Sequence, residues 1–100
     1  MSAGSIEFDF DRAKEFQGKL DTTMETVIGE LTKMEAKVGQ CREWWKGGSE
    51  EGFIKSFSNT KKTIDKKLKD CAKEYKKLVA EVQKIKEQEE RDMKAALGKL

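Results

Sequence analysis

The sequence contains no histidine, no proline and only two cysteines among its 100 residues. Without imidazole side chains, histidine-based acid–base catalysis and His-ligated metal sites are excluded. Two cysteines do not form a disulfide framework, and no apolar run approaches the roughly 18–20 residues that span a membrane. The N-terminal residues 1–15 lack the basic and apolar regions of a cleavable signal peptide, so we expect none.

Neither sign of charge dominates the chain. Charged residues make up 40% of it, yet 21 Lys and Arg nearly cancel 19 Asp and Glu, which leaves a net charge of +2. Such a mixed balance argues against a protein dedicated to nucleic-acid binding. Because proline interrupts helices, a charge-rich chain without proline favours long helices.

A first helix is predicted by apolar residues that recur at steps of three and four, which is the spacing of one stripe along a helix. Asp9 or Asp11 is placed to cap its start. The pattern predicts a helix over residues 9–44, about 54 Å long. The stripe consists of Phe16, Leu20, Met24, Val27, Leu31, Met34, Val38, Cys41 and Trp45.

A second stripe with the same steps predicts a helix over residues 49–97, with Ser49 as its N-cap. Residues 45–48 between the stripes include the adjacent pair Gly47 and Gly48, which permits the backbone to reverse. The stripe consists of Phe53, Phe57, Thr60, Ile64, Leu68, Cys71, Tyr75, Leu78, Val82 and Ile85.

Pairing the two stripes predicts an all-α fold, an antiparallel helix–turn–helix hairpin that forms one domain over residues 1–100. Facing residue numbers sum to 95 at every layer. Cys41 and Cys71 are then about 25 Å apart along the axis, which excludes an intramolecular disulfide and suggests two small buried hydrophobes. The predicted hairpin core is Leu20, Met24, Val27, Leu31, Met34, Val38, Phe57, Ile64, Leu68, Tyr75, Leu78 and Val82.

Such a hairpin buries only one stripe per helix, so its stability alone is marginal. Apolar residues beside the stripes, namely Ile28, Ile54, Ala72 and Val79, would receive a second hairpin and complete a four-helix bundle dimer. We expect a homodimer, with a heterodimer with a related helical protein as the alternative. No cofactor, metal or stable membrane insertion is expected.

Small residues on helix one form a strip opposite its apolar stripe. Gly18, Gly29 and Ala36 belong to it, and mid-helix glycines cost about 0.8–1 kcal/mol each relative to alanine. The strip is therefore a candidate contact for a closely packed partner helix, and tolerated surface glycine is the alternative. Trp44, rotated about 100° from the stripe, is a further candidate partner contact, together with Ile28, Ile54 and Val79.

Two charged segments of helix two have simple interpretations. The lysine-rich run 61–77 is predicted to be a solvated face, since no aromatic residues interleave with it for base stacking. Beyond residue 87 the helix outruns its partner, and the tail is predicted to be either a frayed end or a protruding handle that orders on a partner. No convergent set of catalytic side chains is present, so we expect no enzymatic activity.

The turn carries a resemblance to a known family. Trp45-Lys46-Gly47 at mid-chain, followed by Phe53 and Phe57 and preceded by the lead-in of residues 6–9, resembles the WXG family of small type VII-secreted helical hairpins, the early-secreted-antigen superfamily. The resemblance covers the whole chain. It implies virulence-associated export without a signal peptide to the surface or medium of a Gram-positive bacterium, from the cytoplasm, and contact with a secretion ATPase.

One departure from the family pattern concerns the export signal. The family often carries Tyr-Xaa-Xaa-Xaa-Asp/Glu after helix two, whereas the only tyrosine here, Tyr75, is followed four residues later by Val79. A partner may then supply the signal, or the chain is not exported. The alternative function is an intracellular coiled-coil adaptor, or a partner or chaperone of a larger secreted toxin.

Overall fold

The computed structural model describes residues 7–99 and contains two long α-helices with no strand among these residues. Helix α1 runs from Phe10 to Gly39, a short 3-10 helix follows over Gln40–Glu43, and helix α2 runs from Ser49 to Gly98. The two α-helices lie side by side in a rod of 83 × 19 × 17 Å. The all-α helical hairpin predicted from the sequence is thereby confirmed.

Helix α1 begins where its capping residue predicts and ends earlier than the apolar stripe. Asp9 is the N-cap, and its carboxylate accepts a hydrogen bond from the Arg12 amide at 3.1 Å. The α-helix stops at Gly39, and the chain tightens into the 3-10 helix, so the predicted continuous helix to residue 44 was wrong at its end. Tightening of the last turn is a common way to satisfy terminal carbonyls; here Cys41 O accepts from the Trp45 amide at 2.8 Å.

Helix α2 begins without a side-chain cap. Its N-cap is Gly48, and the predicted N-cap Ser49 is instead its first residue. The Gly48 amide donates to the Glu50 carboxylate at 2.8 Å. Acidic side chains in the first turn also face the positive end of the helix dipole, which supports a helix start that a glycine cap alone favours only weakly.

Contacts between the helices establish an antiparallel register close to the predicted one. The Phe16 and Tyr75 rings meet edge to face at 5.3 Å, Lys76 pairs with Asp21 at 3.6 Å, and Lys86 lies over the Phe10 ring at 5.7 Å. The residue numbers of these pairs add to between 91 and 97, around the predicted 95.

The seam, by which we mean the line of closest approach between α1 and α2, is occupied largely by small residues. Ala13, Cys41, Ala72 and Val79 are the buried hydrophobic residues of the described chain. The Tyr75 hydroxyl donates across the seam to the Ala13 carbonyl at 2.7 Å. Small side chains permit this close approach, and a single pair of helices then leaves larger apolar side chains at the edge of the contact.

The structure corrects the predicted core. Val27, Met34 and Leu78 are 39%, 50% and 59% exposed, and Cys71 is exposed as well, although all four were assigned to the buried stripe. Residues that were predicted to lie outside the hairpin core turn towards the seam instead: Ile28 and Ile54 are half-buried, and Ala72 and Val79 are buried. Each seam is rotated by about one residue from the predicted stripe, because the small residues take the closest approach.

Other predicted core residues are half-buried along or beside the seam. They are Leu20, Met24, Leu31, Val38, Phe57, Ile64, Leu68, Tyr75 and Val82. The seam also holds an ion pair that the stripes did not indicate: Lys61 Nζ lies 2.6 Å from Asp65 Oδ2, with the two side chains only 12% and 19% exposed.

Helix α2 outruns α1 at the end of the rod away from the turn. Phe10 begins α1 and meets Lys86, so residues 87–98 continue past it for about 18 Å. Met93 and Leu97 on this extension are 66% and 62% exposed. The predicted lead-in from Ile6 falls partly outside the described residues, and Leu100 of the predicted tail lies outside them too. Within residues 7–99, no helix is both long and apolar enough to cross a bilayer.

Candidate functional site

The Trp-Lys-Gly turn forms one end of the rod. Gly47 and Gly48 have φ angles of 114° and 98°, a conformation that residues with a Cβ rarely adopt. The Lys46 ammonium donates to the Arg42 carbonyl at 2.6 Å and so closes the last turn before the reversal. The two glycines therefore allow the chain to reverse in a few residues and leave the flanking tryptophans at the tip.

Three aromatic side chains, Trp44, Trp45 and Phe53, stack at this end, and we call them the aromatic tip. The Trp44 and Trp45 rings are 6.1 Å apart and nearly parallel, and Trp45 lies 5.6 Å from Phe53. Trp45 is half-buried and its indole N–H donates to the Ser49 hydroxyl at 2.9 Å. Trp44 is 76% exposed and Phe53 46% exposed. Exposed aromatic residues held in place by a rigid neighbour are well suited to anchor a protein contact.

An ion pair spans the turn below the aromatic tip. The Arg42 guanidinium makes two hydrogen bonds to the Glu51 carboxylate, of which Nη2 to Oε2 is 3.0 Å long. This hydrogen bonding lowers the pKa of the Glu51 carboxyl below its ordinary value and raises the pKa of Arg42. The bidentate geometry fixes the end of the 3-10 helix to the first turn of α2.

The pair has a predictable pH dependence. Because the native pKa of Glu51 lies below that of the unfolded chain, the pair stabilises the turn above the ordinary carboxyl pKa and this contribution is lost as the pH falls through the native pKa. In Arg42→Ala, NMR titration is expected to show the Glu51 pKa rising to its ordinary value, whereas Lys37→Ala leaves it lowered. An unchanged Glu51 pKa in Arg42→Ala would contradict this interpretation.

Large apolar side chains remain uncovered along the rod, and we call this set the open apolar face. On α1 it comprises Phe16, Val27 and Met34, and on α2 it comprises Phe53, Leu78 and Ile85. Their exposed fractions lie between 39% and 59%. Several exposed apolar side chains extending along one side of a molecule mark an interaction surface, whereas single ones do not.

Both halves of the open apolar face lie on the same broad side of the hairpin. Residues three positions before the seam turn to one side of a helix by about 50°, and in an antiparallel partner the equivalent positions turn to that same side. Leu78 precedes the seam position Val82 by four residues and follows Tyr75 by three, as Val27 follows Met24 and precedes Leu31. The ion pair between Lys76 and Asp21 marks the opposite broad side.

The small-residue strip lies on the surface. A Cβ built on Gly18 or Gly29 meets no atom within 4 Å, and Ala36 is exposed. The Thr22 and Thr32 hydroxyls donate to the carbonyls of Gly18 and Ile28, so they are satisfied within α1. The strip thus has the space that a partner helix would need, and no contact within the described chain accounts for its glycines.

Alanine substitution of the strip has an expected outcome. Because nothing surrounds the two positions, Gly18→Ala with Gly29→Ala should stabilise α1 by about 1.5–2 kcal/mol in chemical unfolding. The mass of a homodimer that uses the open apolar face should stay unchanged. A loss of stability or of self-association would show instead that the strip is an intermolecular contact.

The lysine-rich run does not form one uniform surface. Lys61 points along the seam to Asp65, Lys76 pairs with Asp21, and the remaining lysines of the run are exposed. Among residues 7–99, no group of three or more Cys, Asp and Glu is arranged to hold a metal ion. Sequence reasoning missed the Tyr75–Ala13 hydrogen bond and the Lys61–Asp65 pair, for which the only signal was their position one residue from each stripe.

Comparison with known protein families, with characterised proteins and with solved structures finds no match to this chain. The functional argument therefore rests on three features of the hairpin itself: the aromatic tip, the open apolar face and the extension of α2.

Proposed function

We propose that this protein is non-enzymatic and acts through helix–helix binding as a protein exported by, or serving as partner in, a WXG-type (type VII) secretion system. The observation that carries the proposal is the Trp45-Lys46-Gly47 turn, which stands at one end of a helical hairpin with Trp44 exposed beside it. A sequence motif placed at a rigid, accessible tip is available to a large binding partner such as a secretion ATPase.

The open apolar face supports association into a four-helix bundle. Full burial of each large apolar side chain contributes about 1.5–3 kcal/mol, and the isolated hairpin leaves six of them between 39% and 59% exposed. A second hairpin laid on this face would cover both helices at once. We propose a homodimer, and a heterodimer with a related helical protein is the alternative that the same face would accept.

The missing export signal shapes the proposed role. No aromatic residue of α2 stands four residues before an acidic one in the pattern Tyr-Xaa-Xaa-Xaa-Asp/Glu, since Tyr75 leads to Val79. The protein then depends on a surface composed of its own tip and a neighbouring chain for recognition, or on an atypical tail. The extension over residues 87–98 is the part of α2 that is free to present such a tail.

A second candidate is an intracellular coiled-coil adaptor or a chaperone of a larger secreted toxin, which is not itself exported. The absence of the export signal favours this candidate, and the open apolar face serves it equally well. The two candidates differ in where the protein is found, and that difference is measurable.

Export is tested by following the untagged protein in its native host with an antibody. We expect it in the culture supernatant, and we expect that signal to disappear when the type VII ATPase is deleted, while a cytoplasmic marker stays in the cells. Trp45→Ala should block export, whereas the surface variant Gly18→Ala should not. Retention in the cells of a host whose ATPase is active would overturn the export proposal and favour the adaptor.

A further inference from the structure

The exposed line of α2 on the open apolar face has a regular spacing. Phe57, Ile64, Cys71, Leu78 and Ile85 follow one another at intervals of seven residues and therefore share one side of the helix. The first two are half-buried and the last three exposed. A line with one repeat along a single helix fits a second copy of itself in a small number of discrete registers.

We propose that two copies pair through α2 in an antiparallel register in which facing residue numbers sum to 142, so that Cys71 lies at the twofold axis opposite the partner's Cys71. This inference rests on the homodimer proposed above and specifies its contact. In this register Ile64 faces the partner's Leu78, and Phe57 faces the partner's Ile85. Every residue of the line then meets an apolar residue of the other copy.

Neighbouring registers place a charge against the apolar line. When the sum is 149, Phe57 faces the partner's Asp92, and when it is 135, Ile85 faces the partner's Glu50. A sum of 156 places Ile64 opposite the partner's Asp92. Burying an ionised carboxylate against an apolar side chain is costly, so the sum of 142 is favoured by the apolar contacts.

Charges beside the line agree with this register at its most direct contact. Lys67 and Glu74 stand one position further around α2, and at a sum of 142 Lys67 lies opposite the partner's Glu74 on both sides of the axis. At 135 Lys67 would oppose the partner's Lys67, and at 156 Glu74 would oppose the partner's Glu81.

Two charge arrangements run against this preference, and their size is small. At a sum of 142, Asp70 faces the partner's Asp70 at the outer edge, and a sum of 149 would instead pair Lys67 with the partner's Glu81 and Asp70 with the partner's Lys77. Exposed ion pairs contribute only about 0.2–1 kcal/mol each, less than the roughly 1.5–3 kcal/mol of a fully buried apolar side chain. The apolar contacts therefore decide the register.

Single cysteines at three positions distinguish the registers. Residue 71, 74 or 78 lies at the twofold axis when the sum is 142, 149 or 156, respectively. We compare the native Cys71 with Glu74→Cys and Leu78→Cys, the latter two in a Cys71→Ser background. Each full-length chain also carries Cys41→Ser, and a short bismaleimide links facing thiols. In the proposed register a pair at position 78 would be separated by about 21 Å along the axis.

The expected result is efficient linkage of the chain that retains Cys71, with at least tenfold less linkage at positions 74 and 78. Preferential linkage at 74 or 78, or a dimeric mass with no linkage at any of the three, would overturn the register while leaving the dimer intact. A monomeric mass for the unsubstituted chain would overturn the dimer itself, and so separates failure of the proposed association from failure of the register.

A charge exchange provides an independent readout. Lys67→Glu should raise the dimer dissociation constant about fivefold to tenfold, because two exposed ion pairs become repulsive contacts. Adding Glu74→Lys should restore the dissociation constant to within about twofold of the unsubstituted value. The two residues are seven positions apart on the same helix, too far for an intrachain pair, so rescue reports the contact between copies. Failure of rescue would contradict the register.

Discussion

Leu78→Asp is expected to convert the dimer into monomers. Leu78 is 59% exposed in the hairpin and lies opposite the partner's Ile64 in the proposed dimer. The substitution occurs twice per dimer, and each copy loses about 1.5–3 kcal/mol of apolar burial and places a carboxylate against apolar side chains. We therefore expect the dimer dissociation constant to rise at least 100-fold, which corresponds to about 2.7 kcal/mol.

Sedimentation equilibrium over a range of concentrations measures this change. The matched control is Ala80→Asp, which introduces the same charge two residues away at an exposed position that is not on the open apolar face. The control should leave the dissociation constant within about threefold of the unsubstituted chain, as surface changes usually alter stability by less than about 0.5 kcal/mol. Equal effects of the two variants would contradict the assignment of the interface.

Alanine at both turn glycines is expected to produce the largest loss of stability of any surface change in this chain. Gly47 and Gly48 have φ angles of 114° and 98°, where a Cβ costs about 1–3 kcal/mol per residue. The space around both positions is open, so the penalty comes from the backbone conformation and not from a collision with a neighbouring side chain. The double variant should lose about 2–5 kcal/mol of unfolding free energy.

Urea unfolding followed by circular dichroism measures that loss at a fixed protein concentration. The strip variants Gly18→Ala and Gly29→Ala serve as controls, because the same chemical change in the middle of a helix should stabilise the protein. If the turn variants were as stable as the unsubstituted chain, the connection would not require positive φ angles. The tip would then not be held in the conformation described here.

The sequence was sufficient to predict the helices and their pairing, because a periodicity of three and four residues persists along both segments. The long unbroken α2 follows from the absence of proline, and the start of α1 follows from Asp9, whose carboxylate caps it. The reversal at Gly47 and Gly48 was equally readable, since adjacent glycines permit the positive φ angles found there.

The side of each helix that faces the seam was less predictable. Leu78 and Val79 are adjacent and both apolar, and hydropathy gives no reason to bury one of them before the other. The structure buries Val79, along with Ala72, because the helices approach most closely where side chains are small. That choice depends on both helices together and is not contained in the periodicity of either one.

The turn shows the same division between local and non-local determinants. The Trp-Lys-Gly motif and its glycines were evident from the residues, whereas the stacking of Trp44, Trp45 and Phe53 depends on how the 3-10 helix directs the tryptophans towards α2. Ser49 was predicted to cap α2 because serine is common at that position. Its hydroxyl accepts from the Trp45 indole instead, so a tertiary contact replaced the local one.

Association through the open apolar face is the central claim, and the molar mass in solution tests it most directly. Light scattering on the purified full-length chain at micromolar concentration should give about 23 kDa, twice the 11.4 kDa of one chain. A mass of 11.4 kDa that persists as the concentration is raised would contradict the claim, because the exposed apolar side chains would then have no second copy to cover them.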